Sequence, residues 1–321
     1  MFNSNPKTTS PLAIWAGMLS IYIVWGSTYL AIQFAVETIP PFLMAAVRNF
    51  TAGLMMYAWR RLAGDPRPSL LHWRSAAIIG VLLLTGGNGL VSWSERLVPS
   101  GITSLLVGSV PLWIMLIDLA SGYYRKGGSR PGALAVLGLA AGFGGIALLV
   151  GPGQLAGAGQ VNLIGAGALL LGSLLWALGS VYNRGAQLPA SPLLGTGMEM
   201  LSGGLGLFLV GTLAGEWQQL DLTAVSGSSL LGLLYLIFFG SLVGFASYTW
   251  LLRVAPITLV STYAYVNPVV ALVLGALIAG EVVSGRMILA ALIILGSVAL
   301  ITITRAARPR QQPASAEKAA D

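Results

Sequence analysis

The 321-residue sequence contains no cysteine and a single histidine, His72. The first absence excludes a disulfide framework, a thiolate metal site and a cysteine nucleophile. The second excludes a histidine-clustered metal centre. Charge is scarce too: 17 Lys and Arg with 10 Asp and Glu make 8% of the residues, where a soluble domain carries about 25%. So few charges cannot cover a water-facing surface, which excludes an ordinary soluble domain and a disordered chain. Nucleotide-binding and HExxH-like motifs are missing as well. No cofactor, no metal site and no enzymatic activity are therefore expected.

What the sequence has is apolar length. It is 56% hydrophobic, with a mean hydropathy of +0.82. Apolar runs bounded by charge, Pro or Gly cover 12–34, 41–62, 73–93, 99–120, 131–150, 162–183, 192–214, 229–251, 256–279 and 285–304. Each approaches the roughly 20 residues that span a bilayer as a helix. Backbone groups in lipid must be paired within a segment, so the reading is all-α: a polytopic membrane protein of ten transmembrane helices. The first run is too long for a signal peptide and leads straight into further helices, so it reads as a retained span. Assigned alternately to the two sides, 14 of the 17 Lys and Arg fall on the side of the N-terminus, Arg96 and Arg286 on the other, and Arg48 within a span. By the positive-inside rule both termini are cytoplasmic, in a cell (inner) membrane. The net charge of +7 is thus spread over scattered anchors rather than a basic patch, and nucleic acid is not an expected partner.

The chain is written twice. Trp25 matches Trp176, Pro41 matches Pro192, Arg48 matches Glu199 and Gly53 matches Gly204, each 151 positions on. In the third and fourth runs the spacing grows to 157, pairing Gly87 with Gly244, Trp93 with Trp250 and Pro111 with Pro268. A loop six residues longer accounts for the step. Five spans per half is an odd number, so the second half enters from the opposite side. The expected organisation is a segment 1–11, a repeat 12–150, an outer linker 151–161, an inverted repeat 162–304 and a cytoplasmic tail 305–321. Inverted repeats are the architecture of secondary transporters, with a site between the halves near the midplane.

Several stretches bear on family. Trp25-Gly-Ser-Thr-Tyr29, Pro40-Pro41, Arg48-Asn-Phe50, Ser261-Thr-Tyr-Ala-Tyr-Val-Asn-Pro268 and Gly280-Glu281 resemble EamA-type members of the drug/metabolite transporter superfamily. Gly87-Asn-Gly89 and Val98-Pro-Ser-Gly101 are similar to its YedA-like subgroup. The first half reads Gly122-Tyr-Tyr124 where the family often carries Gly-Glu. The resemblance implies export of amino acids or other small metabolites.

Candidate site residues follow from position and helical spacing. Trp25 and Trp176 are repeat mates near span centres, where an indole N–H needs a polar partner. Trp113 is also central but has no mate, and packing explains it as well. Tyr22, Trp25, Tyr29 and Gln33 share one face of the first span; Ser173, Trp176, Ser180 and Asn183 share one of the sixth. Thr85, Asn88, Ser92 and Glu95 make a polar stripe on the third; Tyr248 and Tyr265 belong to stripes on the eighth and ninth. Such stripes face a bundle interior or a cavity; interhelical hydrogen bonding is the competing account of any one of them. The substrate-binding candidates are Trp25, Tyr29, Asn88, Ser92, Trp176, Ser180, Tyr248 and Tyr265. A mid-membrane charge costs at least about 2.5–3.5 kcal/mol, so Arg48 and Glu199 are read either as counter-ion and protonatable carboxylate of a coupled cycle or as a structural pair. Pro111 and Pro268 should kink their helices and are hinge candidates. Gly138-x-x-x-Gly142 and Gly240-x-x-x-Gly244 could serve internal packing or a homodimer.

The functional expectation is a secondary transporter that exports an amino acid or similar small metabolite by alternating access, within the lipid bilayer. The alternatives are an exporter of drug-like hydrophobic cations held by aromatic faces and, in another class, a non-transporting sensor or channel. A channel would want a charged ring or a carbonyl filter, and neither is readable.

Overall fold

The computed structural model describes residues 10–122, 132–151 and 161–306. Among these every regular element is helical. Besides the single turns Glu216–Gln219 and Ile257–Val260, they are in chain order α1 (Pro11–Ala35), α2 (Pro41–Leu62), α3 (Leu70–Ser94), α4 (Ser100–Ala120), α5 (Ala133–Val150), α6 (Leu163–Asn183), α7 (Pro192–Leu213), α8 (Gly227–Val254), α9 (Tyr263–Ile278) and α10 (Gly285–Ala306). Eight are long and apolar enough to cross a membrane, which makes the chain a polytopic membrane protein. Two expected spans stand outside that set. Helix α2 carries Arg48 and, in its last turn, Arg60 and Arg61. Helix α9 is apolar but has 16 residues. The segment before residue 10, the linker at 152–160 and the tail from 307 lie outside the described residues.

Side-chain caps place several helix starts earlier than hydropathy does. Ser69 and His72 form a reciprocal capping box that begins α3 at Leu70, so the lone histidine is structural here. Ser226 accepts from Ser229 N at 3.1 Å and begins α8. Ser10 and Asn162 cap α1 and α6 in the same way. Two expected spans are interrupted. Helix α4 turns at Gly108–Ser109 and resumes at Val110, with Pro111 in the first turn of the new segment. Proline has no N–H to donate one turn back, so the break falls just ahead of it. In the ninth span a single turn, Ile257–Val260, precedes a break at Ser261–Thr262; Pro268 then sits inside α9. Helices α3 and α8 each contain eight residues of wider π-helix, Val81–Asn88 and Leu236–Val243.

Helix α1 packs on α8 and α9, α6 on α3 and α4, α2 on α7, and α5 on α10. Small residues set the α2–α7 distance. A β-carbon at Gly53 would stand 2.7 Å from Leu201 N, and one at Gly204 would stand 2.8 Å from Phe50 N. Without side chains at these points the two backbones touch. Gly138 and Gly142 face Ile301 and Leu112 within the chain.

Charged side chains tie helix ends across the chain. Glu216 accepts from Phe42 N at 3.2 Å and Leu43 N at 2.9 Å, at the start of α2. Glu281 accepts from Ser100 N and Oγ at 2.7 Å and Gly101 N at 3.0 Å, at the start of α4. Arg286 donates to Leu148 O at 2.6 Å and Gly151 O at 2.8 Å, at the end of α5. Each charge has the sign that the helix dipole favours at that end.

Candidate functional site

The aromatic half of the site gathers around Trp25, at the middle of α1. Its ring centroid lies 5.3 Å from those of Phe245 and Tyr248 and 5.1 Å from that of Tyr263. Its indole N–H donates to Gly240 O at 3.0 Å. Gly240 lies in the π-helical stretch of α8, where the wider turn leaves a carbonyl for a side-chain donor. Tyr22, one turn earlier, hydrogen-bonds Thr262 at the break before α9. The Asn267 amide, oriented to satisfy both acceptors, donates to Tyr263 O and Tyr22 O.

Trp176, the repeat mate, takes the corresponding place against α3. It packs over Gly87, where a β-carbon would be 2.8 Å from Trp176 Cε3. At Gly244, the mate of Gly87, a β-carbon would be 2.2 Å from Trp25 Nε1. Each tryptophan therefore covers the matching glycine of the opposite half. Ala52, Leu84, Met200 and Ile237 form a small buried cluster that both Trp176 and Phe245 pack against.

The polar half lies on the stretch where α1 ends, α2 begins and α3 ends. Arg48 is 6% exposed. Its Nε donates to Ser241 Oγ at 3.2 Å, and its Nη1 has no hydrogen-bond partner. Asn49 Nδ2 donates to Ala45 O at 2.8 Å and reaches Asn88 Oδ1 at 3.5 Å. Ser92 is fully buried and its hydroxyl is unpartnered. Glu95, directly after α3, is 4% exposed, and neither carboxylate oxygen has a hydrogen-bond partner. Gln33 Oε1 is likewise unpartnered. Buried polar atoms are normally paired, so unpaired ones from three helices mark a place built for water or a ligand.

The structure thus brings Trp25 together with Tyr248, and groups Arg48, Asn88 and Ser92 on the polar side. Tyr29 lies within electrostatic reach of Glu95. Ser180 turns back to the Trp176 carbonyl at 2.8 Å, the local bond expected of a helical serine. Tyr265 packs, half-buried, against the main hydrophobic cluster. Glu199 is half-buried on α7, its carbonyl against Gly80 of α3. It makes no ion pair with Arg48; the ion pairs among the described residues are Arg60–Asp65 and Arg184–Asp118, each at 2.7 Å. The pairing that the repeat suggested between Arg48 and Glu199 is therefore absent. Their helices pack together, but Arg48 turns to Ser241 of α8 instead. Tyr263 was not singled out from sequence; it enters because the chain breaks immediately before it. Glu95 belongs to the Thr85–Asn88–Ser92 stripe that the sequence shows, but it was not among the binding candidates.

The model of the EamA-like transporter family matches residues 12–151 and again 163–303. An uncharacterised inner membrane transporter of Escherichia coli K12, YedA, is 40% identical over 82% of each chain. A chloroplastic WAT1-related protein of Arabidopsis thaliana is 27% identical over 82% of this chain and 63% of its own. A solved crystal structure, 22% identical, superposes with a TM-score of 0.60, covering 92% of this chain and 99% of the other. It shares the fold.

Proposed function

We propose that this chain, which belongs to the EamA-like transporter family, is a secondary transporter that exports an amino acid or similar small metabolite. In this reading α2 and α9 join the eight candidate spans, and two inverted five-helix repeats rock about a site between them. Three observations support the repeat. Helix α1 meets α8 and α9 as α6 meets α3 and α4. The mates Trp25 and Trp176 cover the mates Gly244 and Gly87. Helices α4 and α9 each end at a left-handed glycine, Gly122 at φ +67° and Gly280 at φ +66°. The concentration of Lys and Arg on one side supports cytoplasmic termini.

The observation that carries the functional reading is the buried, unpartnered polar group of Arg48, Ser92, Glu95 and Gln33, tied to the aromatic half through Arg48, which bonds Ser241 next to the Gly240 that Trp25 bonds, and through Tyr29, within electrostatic reach of Glu95. A ligand with a charged end and an apolar side chain suits both halves. Asn88, Trp176, Ser180, Tyr248 and Tyr265 complete the proposed surroundings. The breaks ahead of Pro111 and Pro268 supply hinges for alternating access. A second reading, export of a hydrophobic cation, is favoured by the ring cluster of Trp25, Phe245, Tyr248 and Tyr263.

Counterflow into proteoliposomes tests both. Labelled amino acids are offered singly, with ethidium as the cationic probe. The reading expects exchange of an amino acid that Trp25→Ala and Trp176→Ala each abolish. Exchange of ethidium alone would transfer the assignment to the second reading. A wild-type protein that exchanges nothing would refute both.

A further inference from the structure

We propose that Glu95 is the coupling carboxylate: it holds a proton when the site is empty and gives that proton up to bind the positively charged ammonium group of the substrate. The inference rests on the transporter reading above and assigns to Glu95 the role that the sequence offered to Glu199.

The surroundings of Glu95 support an anion poorly. It is 4% exposed, and both oxygens lack partners. It caps the C-terminal end of α3, where the helix dipole disfavours negative charge. The charged and titratable groups facing it are Tyr29 from α1, Arg48 from α2 and Glu281 from the end of α9. Helix α6, packed beside the same turn, has none between Leu163 and Val181. The Gln33 backbone comes close but falls short of hydrogen-bond geometry. Glu281 is a like charge already engaged with the start of α4. Among the described residues Arg48 is the countercharge that acts on Glu95, and no ion pair closes between the two. A buried carboxylate without donors is stable only when protonated or when a cation arrives. The unpartnered atoms of Arg48, Ser92 and Gln33 leave the same place open to the rest of a polar ligand.

The exchange balances simply. The Glu95 O–H bond breaks, its proton leaves to water on the side to which the site is open, and the carboxylate pairs with the ammonium. Return of the proton from the opposite side releases the substrate there. One proton per substrate lets a gradient of one pH unit sustain about a tenfold substrate gradient.

The experiment uses the full-length protein in a weakly buffered detergent solution with a pH indicator dye. L-phenylalanine and ethidium are the probes. Wild type is expected to release about one proton per probe bound, Glu37→Gln to do the same, and Glu95→Gln to release none while binding more weakly. Release by Glu95→Gln at the wild-type level would overturn the proposal. So would loss of release in Glu199→Gln with release kept in Glu95→Gln. A ligand-free arm uses dicyclohexylcarbodiimide, which modifies protonated carboxyls in apolar surroundings. Peptide mapping is expected to find it on Glu95, with labelling that falls as pH rises and that either probe prevents. A Glu95 left unmodified at pH 6 overturns the proposal whatever the probes do. Counterflow without proton release overturns it while the transporter reading stands. Labelled Glu95 without any counterflow refutes the transporter reading while the proton site stands.

Discussion

Substituting Gly244 by alanine tests the contact that links the halves. The new β-carbon would stand 2.2 Å from Trp25 Nε1 and 2.9 Å from Cδ1. Ordinary van der Waals contact begins near 3.4 Å, so the indole must retreat by about 1.2 Å. It has little room, because Phe245, Tyr248 and Tyr263 hold centroids 5.1–5.3 Å away. The retreat also stretches the 3.0 Å bond to Gly240 O. Overpacking costs about 1–3 kcal/mol, and the hydrogen bond about 1 kcal/mol net. Alanine in place of glycine in a helix returns about 0.5–1 kcal/mol. A net loss of about 1–3 kcal/mol results from these terms. Thermal unfolding in detergent measures it, with a double-mutant cycle that adds Trp25→Phe. The smaller ring removes the clash, so the double variant should be about 1 kcal/mol or more better than additivity. Gly87→Ala, with its nearest approach of 2.8 Å to Trp176, should cost less than Gly244→Ala. A Gly244→Ala protein as stable as wild type, or strictly additive costs, would refute the reasoning.

Gly53→Ala should lose about 1–3 kcal/mol by forcing α2 from α7, while Gly167→Ala, with nothing within 4 Å, should be neutral or slightly stabilising; equal melting temperatures would contradict this. Glu281→Ala removes the acceptor of the first donors of α4; about 2 kcal/mol of local stability should disappear, read as faster amide hydrogen exchange at Ser100 and Gly101. Arg60, in the last turn of α2, donates twice to Asp65 in the loop that follows, and with further help from Ser191 holds its carboxyl down to about 2. A depressed carboxyl contributes stability above its unfolded value and loses it as pH falls through the folded one. Asp65 should therefore stay ionised, and the Arg60 contact intact, from neutral pH to about 3, by carbon-13 titration; a midpoint near 4 would disprove it.

Helix existence was readable because apolar runs report it directly. Helix faces were less so. The stripe Thr85, Asn88, Ser92 and Glu95 assumed a period of 3.6, yet α3 is π-helical over Val81–Asn88. The wider turn rotates the last residues of α3 about its axis relative to the first. Thr85 consequently bonds Gly203 O at 3.0 Å on α7, whereas Ser92 and Glu95 are buried without hydrogen-bond partners. Arg48 and Glu199 were singled out as mates of opposite sign. Positions that match between two stretches of sequence need not touch, and Arg48 and Glu199 form no ion pair. Glu95 drew less notice because an acid at a span end is ordinarily an interfacial anchor.

Residence in a bilayer, helical structure, the approximate extent of most helices and family membership were all legible in the order of residues alone. These rest on a local rule: the backbone must satisfy itself within each apolar run. Which faces meet was a matter of packing. Glu281 reaches Ser100 across 181 positions, Trp25 finds Gly240 across 215, and Glu95 is left without a partner. In lipid, hydropathy does not distinguish the inner face of a helix from the outer, because both are apolar. Close approach at small residues, breaks at prolines and π-turns orient the helices, and those are properties of the packed molecule.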